Sequence, residues 1–140
     1  VIRELTKAGV QVNVNIAPVI PGLTDKELPN ILHAVADAGA TRVAWVLLRL
    51  PYQLKDLFLD WLKRCVPERA SHVESLIRQT HNVKLYRATP DRRRGKGEHA
   101  KQIAQVFDVF TRKYGLNRDV RPLRRDRFRR PSLDGQMSLF

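Results

Sequence analysis

Asparagines 13 and 15 are the first residues whose type and spacing suggest chemistry. They alternate with aliphatic residues in the run VQVNVNI, residues 10–16. Successive side chains of an extended chain point to opposite faces. Val10, Val12, Val14 and Ile16 therefore share one face, and Gln11, Asn13 and Asn15 share the other. A carboxamide offers donors and an acceptor, so this face suits recognition of a polar ligand rather than a covalent step. In a parallel barrel it would line the lumen. In a sheet covered on both sides the amides would be costly unless they bond to neighbouring backbone. Arg49 ends a second apolar run, residues 42–49, and is expected at the same rim, facing a ligand or paired with a surface carboxylate. Asn13, Asn15 and Arg49 form the candidate ligand-binding set.

The second group is basic. Arg92, Arg93, Arg94 and Lys96 lie in the stretch TPDRRRGKG, residues 89–97, which has no apolar residue and carries two glycines and a proline. This is a loop, either simply solvated or cradling phosphate. Arg118, Arg121, Arg124, Arg125, Arg127, Arg129 and Arg130 then crowd a short segment that contains two acids, Asp119 and Asp126. Arginine suits bidentate phosphate contacts, and Phe128 is suited to stacking on a base. The expected partner is nucleic acid, with general stickiness of a basic chain as the rival. Finally, Gln136, Met137, Ser138, Leu139 and Phe140 resemble the pentapeptide by which bacterial polymerases and repair proteins dock on the DNA sliding clamp. Leu139 and Phe140 would fill an apolar pocket and Gln136 would bond to its rim. The alternative is a tail that packs back on its own domain.

Other chemistry is poorly represented. Cys65 is the single cysteine of 140 residues, which excludes an internal disulfide and any cysteine cluster for zinc or iron within the chain. It falls on the apolar side of a helical pattern and is expected to be a small core residue. His33, His72, His81 and His99 have neither i,i+4 spacing nor neighbouring carboxylates arranged for a metal, His33 is expected at the surface, and no phosphate-loop or nucleophile motif is present.

The elements that position these residues follow from periodicity. Residues 1–8 read as a helix with no capping residue before it, so the chain is expected to be the C-terminal piece of a longer protein. Residues 10–16 form a strand followed by the loop Ala17-Pro18-Val19-Ile20-Pro21-Gly22. Thr24 and Glu27 have capping-box spacing, and Leu28, Ile31, Leu32 and Val35 make one helical face. Residues 42–49 read as a strand apolar on both faces, hence covered on both sides. A strand–helix–strand order requires the strands to be parallel.

Beyond residue 50 the pattern is helical. Leu54, Leu57, Phe58, Trp61, Leu62 and Cys65 share a face; Pro67 opens the next helix, with Ala70, Val73, Leu76 and Ile77 inward; residues 83–86 read as a short extended piece. Ile103, Ala104, Phe107, Phe110 and Tyr114 mark a last helix closed by Gly115 and Leu116. The tail is expected to begin at Asn117 with little structure of its own. Composition agrees with a folded basic chain: 43% hydrophobic residues, 26 Lys and Arg against 14 Asp and Glu, net charge +12. The longest apolar run, residues 43–48, is far short of the roughly 20 residues that span a bilayer. A soluble protein of a reducing, cytoplasmic compartment, without membrane contact, is the expectation.

The runs VNVNIAPVIPGLTDKEL and AGATRVAWVLLRLP, with LKDLFLDWL and RASHVESLIRQ after them, resemble the second half of a radical S-adenosylmethionine barrel. The similarity is to bacterial proteins related to the spore photoproduct lyase group, which are DNA-repair-like. The resemblance implies α/β architecture: a partial parallel (β/α) barrel in residues 1–50, a helical extension in 51–116 and a basic tail in 117–140. It also implies S-adenosylmethionine and a [4Fe–4S] cluster in a full-length parent, with Asn13, Asn15 and Arg49 as a partial cofactor wall. The family's C-x3-C-x2-C cluster loop is missing here, so the missing N-terminal barrel half is an implied partner and the chain alone is expected to be inactive. The other class of function is a non-enzymatic nucleic-acid-binding module tethered to the clamp. A half barrel is also expected to leave two open strand edges.

If four or five tail arginines contact phosphates, log K for DNA falls with log salt at a slope of roughly −4. Deleting the arginine-rich tail flattens that slope; an unchanged slope places the basic face elsewhere.

Overall fold

A computed structural model describes residues 1–81 and 93–118. The elements, in chain order, are α1 (Ile2–Lys7), β1 (Asn13–Val19), a 3-10 turn (Asp25–Glu27), α2 (Leu28–Asp37), β2 (Arg42–Leu47), α3 (Leu54–Cys65), α4 (Pro67–Thr80) and α5 (Glu98–Lys113). Among the described residues β1 and β2 form a two-stranded parallel sheet, with Asn13 opposite Arg42, Asn15 opposite Ala44 and Ile16 opposite Trp45. The protein is therefore mixed α/β and mostly helical. No helix among the described residues is long and apolar enough to cross a membrane.

One face of this sheet carries the core. Val43, Trp45 and Leu47 of β2 pack with Leu28 and Leu32 of α2 and with Ile103 and Phe107 of α5. These side chains are at most 6% exposed, and complete burial of each large one stabilises the fold by about 1.5–3 kcal/mol. The opposite face is open: Asn13, Asn15 and Ala44 are exposed and Val46 half-buried. This corrects the expectation that the second strand is covered on both sides. The side-chain run is apolar on both faces only because Ala44 and Val46 are small enough to tolerate solvent.

A second cluster joins Leu48 and Leu50, just after β2, to Leu62 of α3 and Val73 and Ile77 of α4. The α3–α4 pair thus packs at the C-terminal end of the strands. Leu62 is the buried residue of α3, whereas Leu54, Leu57 and Trp61 are exposed and so is Cys65. The expected apolar face of this helix is therefore only partly used, and Cys65 is not a core residue. Periodicity reports which side chains share a face but not whether anything covers it.

Several boundaries also move. The first strand starts at Asn13 rather than at Val10, which is 48% exposed, and it runs on through Ala17 and Pro18 to Val19 with a break in register after Ile16. The Thr24 hydroxyl accepts from the Ile20 N–H (2.8 Å) instead of capping a helix, and Pro29 lies in the first turn of α2, where its missing N–H costs nothing. At the far end α5 stops as expected. Gly115 has φ +70°, and the Leu116 N–H returns to the Thr111 carbonyl (3.0 Å) while Leu116 is buried. Gly95 has no room for a side chain: a Cβ there would lie 2.8 Å from Leu47 Cδ2 and 2.9 Å from the Thr80 carbonyl oxygen. The extended piece expected at residues 83–86 lies outside the described residues.

His81, at the end of α4, is buried, and its Nε2–H donates to the Leu48 carbonyl (3.3 Å). Burial disfavours the imidazolium and holds its pKa below the ordinary 6.5, against a smaller opposing pull from the Leu48 carbonyl. The unfolded chain then binds the proton more readily than the folded one. His81 costs no stability above pH 6.5, and stability falls as the pH drops below 6.5 toward the folded-state pKa. Urea unfolding of His81→Gln is expected to show a shallower loss between pH 7 and pH 5 than the unmodified protein; identical pH profiles would contradict this.

Candidate functional site

The open sheet face forms a groove of about 420 Å³ lined by Asn13, Asn15, Arg42, Ala44 and Asn117, with Val14 and Val43 at its floor. Alternation along β1 presents both asparagines, and the parallel register places Arg42 and Ala44 beside them. The groove can hold a polar ligand through amide donors and acceptors and one guanidinium. It lies along the N-terminal half of both strands. Arg49 does not line it: this residue follows β2 at the other end, is half-buried, and its Nε is buried without an acceptor among the described residues. Arg42, not Arg49, is the arginine that the fold brings to the two asparagines, because β2 runs parallel to β1 and begins at its level.

Asn117 corrects another expectation. It is not the start of a loose tail but is fastened to β2. Its side-chain Nδ2 donates to the Val43 carbonyl (2.9 Å), its Oδ1 accepts from the Val43 N–H (2.8 Å), and its own N–H donates to the Thr41 carbonyl (2.9 Å). Its φ of +60° is a conformation that asparagine tolerates better than most residues. The carboxamide thus completes backbone pairing as a neighbouring strand would, and one of the two expected open edges is occupied at this point. A deletion that tests the basic arm must therefore begin after Arg118, whose Nη2 donates to the Arg112 carbonyl (3.0 Å).

A second constellation was invisible in the sequence. His99 of α5 donates from Nε2 to Asp25 Oδ2 (2.9 Å), and the same oxygen accepts from the Gly22 N–H (3.0 Å). Both side chains are largely buried, at 19% and 11% exposure, and Asp25 Oδ1 is buried without a partner among the described residues. His33 also lies near a carboxylate, its Nδ1 3.5 Å from Asp37 Oδ2 on the exposed side of α2. The Asp25–His99 pair ties the loop after β1 to α5 beside an apolar groove of about 370 Å³ that includes Pro29, Ile103, Val106 and Phe110. The turn residues around Asp25 were legible, but nothing in the spacing of residues 74 positions apart pointed to His99.

The basic residues divide. Arg93, Arg94 and Lys96 are exposed. Arg94 lies over the Trp45 ring at 4.8 Å and over Phe107 at 5.9 Å, so its guanidinium shields the core's aromatic edge. The Lys96 N–H donates to the Thr80 carbonyl (2.8 Å). Arg92 lies outside the described residues, as do Arg121, Arg124, Arg125, Arg127, Arg129 and Arg130 and the terminal Gln136, Met137, Leu139 and Phe140. No group of three or more His, Cys, Asp or Glu side chains able to hold a metal ion occurs among the described residues.

Comparison with known proteins gives a partial match. Eighty residues, 56% of the chain, are 38% identical to uncharacterized proteins of Mycobacterium tuberculosis and Mycobacterium bovis. The aligned stretch is 24% of each of those proteins, so the match spans about a quarter of the length of the curated relatives. No family model and no solved structure matches the chain.

Asp25→Ala, which strands the Gly22 N–H and His99, is expected to cost about 1–3 kcal/mol, and His99→Ala about 1 kcal/mol. In urea unfolding the double variant should lose less than the sum, with a coupling of at least about 0.5 kcal/mol. Strict additivity would mean that the pair contributes nothing as a pair.

Proposed function

We propose that this chain supplies later strand–helix units of a larger parallel barrel of the radical S-adenosylmethionine type, acting on or near nucleic acid. On this reading residues 1–50 form barrel wall, 51–118 form a helical extension that ends fastened to β2, and 119–140 form a basic arm. The observation that carries it is the one-sided cover of the sheet. Helices α2 and α5 pack on the Val43, Trp45 and Leu47 face alone, while the Asn13, Asn15 and Ala44 face is left open and polar. A doubly wound sheet brings helices to both faces, whereas a parallel barrel keeps them outside and fills its interior with side chains. A two-stranded parallel sheet is also too small to be a natural end point, since parallel sheets are normally larger and buried. The longer mycobacterial relatives leave room for the remaining strands.

The cluster implied by the resemblance does not fit this chain. Cys65 is solitary, exposed and at the end of α3, and no other ligand set lies near the groove among the described residues. The cluster therefore belongs to the part of the protein that carries the C-x3-C-x2-C loop. What this chain contributes is recognition. Asn13 and Asn15 each present a donor and an acceptor to a polar ligand edge, and Arg42 adds a charge suited to a carboxylate or phosphate. The arginines from Arg121 onward add sequence-independent affinity for a phosphate backbone.

Anaerobic reconstitution tests the reading. The chain alone should bind no stoichiometric iron and should not cleave S-adenosylmethionine. The protein extended by its upstream coding segment should do both, and Asn15→Ala there should weaken S-adenosylmethionine binding by about tenfold, the loss of about one hydrogen bond in a desolvated site. An upstream segment without the cysteine loop, or an extended protein that binds DNA but never S-adenosylmethionine, would leave the non-enzymatic binding module as the function.

A further inference from the structure

We infer that the edge of β1, free among the described residues, is the docking surface for a further parallel strand of the longer protein, whereas Asn117 holds the start of the outer edge of β2. The inference rests on the reading that the chain belongs to a larger parallel sheet, but not on any cofactor.

The two edges differ in chemistry. On β2 the Val43 N–H and C=O are both taken by the Asn117 carboxamide, and the Thr41 carbonyl is taken by the Asn117 N–H. A strand arriving there would first have to displace three hydrogen bonds. On β1 the Val12 carbonyl accepts from the Thr41 N–H. Alternation along the strand then turns the backbone groups of Asn13 and Asn15 away from β2. No lysine or glutamate side chain lies on β1 to discourage pairing.

Topology selects the same edge independently. The Thr6 hydroxyl of α1 donates to the Ala38 carbonyl at the end of α2 (3.1 Å), and a Cβ on Gly39 would lie 3.0 Å from that hydroxyl oxygen. The last turn of α1 thus meets the C-terminal end of α2, and the exposed Asn13 and Asn15 show that α1 does not cross the open face. Strand–helix–strand crossovers are right-handed in nearly all proteins. With α1 and α2 on the same side, a strand leading into α1 must sit on the β1 side, continuing the direction from β1 to β2. On the β2 side it would need a left-handed crossover. Apolar surface is left on the segment that leads into β1: Val1, Leu5 and Val10 are 96%, 40% and 48% exposed. The occupant is therefore an extended segment upstream of α1, parallel to β1, with apolar residues toward the helices and polar ones toward Asn13 and Asn15.

Hydrogen exchange read at single amides, in the chain alone and in the protein extended by its upstream coding segment, tests this. The Asn13 and Asn15 amides are expected to exchange freely in the chain and at least about tenfold more slowly in the extended protein, as an amide gains a ladder hydrogen bond. The Val43 amide should be protected in both, and Asn117→Gly, which keeps the backbone conformation and removes the carboxamide, should speed its exchange about tenfold in both. If that variant does not fold, Asn117→Asp keeps the acceptor for the Val43 N–H and loses the donor to its carbonyl, and should give a smaller acceleration. New protection at Trp45 and Leu47 with none at Asn13 and Asn15, or no new protection on either strand, overturns the inference. An extended protein that pairs on β1 but never cleaves S-adenosylmethionine retains it and removes the enzymatic reading; one that cleaves it while the β1 amides stay open does the reverse.

Discussion

Burial of β2 on a single side is the constraint from which the remaining structure follows. Val43, Trp45 and Leu47 alternate inward, and the residues that cover them come from α2, next to β2 in sequence, and α5, far from it. Because α5 must lie over Trp45 and Phe107 must meet that ring at 6.1 Å, the C-terminus of α5 arrives beside the start of β2. There the turn through Gly115 and Leu116 delivers Asn117 to Val43. The edge lock is thus a consequence of how the core positions one helix. Arg94 over the same indole and Gly95 against Leu47 bring the end of the basic loop to the same core.

The same asymmetry separates structural from binding roles. Side chains that face the helices are apolar and closely covered. Those that face away are short or polar, and they form a groove because nothing among the described residues packs on them. Among the described residues the Asn13 and Asn15 side chains make no hydrogen bond, and threonine would suit the strand backbone at least as well. The polar wall is consistent with recognition from the sheet's open side, with the α3–α4 pair packed beyond the C-terminal ends of the strands.

Legibility in the sequence followed the range of the interaction. The strand–helix–strand order, the sharing of faces along β1 and the end of α5 depend on neighbours within a few residues, and they were readable. The path of β1 through Ala17 and Pro18 depends on pairing with β2, and periodicity placed the strand three residues early. Cys65, Leu57 and Trp61 obey a helical period, yet burial requires a second surface that no local pattern reports. Asn117 looked like the first residue of an arginine-rich tail because its partners, Thr41 and Val43, lie 74 or more positions away. The Asp25–His99 pair was hidden for the same reason. Of the candidate site, the two asparagines were legible from alternation, while the exchange of Arg49 for Arg42 required the register.

The central claim is that the Asn13, Asn15 and Ala44 face is exposed in this chain and becomes interior in the longer protein. Thiol labelling at position 44 measures that directly. In a Cys65→Ser background, which removes the exposed native thiol, Ala44→Cys should react with a small maleimide at the rate of an unhindered thiol in the chain alone, and at least about tenfold more slowly when the upstream segment is present, as expected for local opening of a buried site. Equal rates in the two proteins would contradict the account.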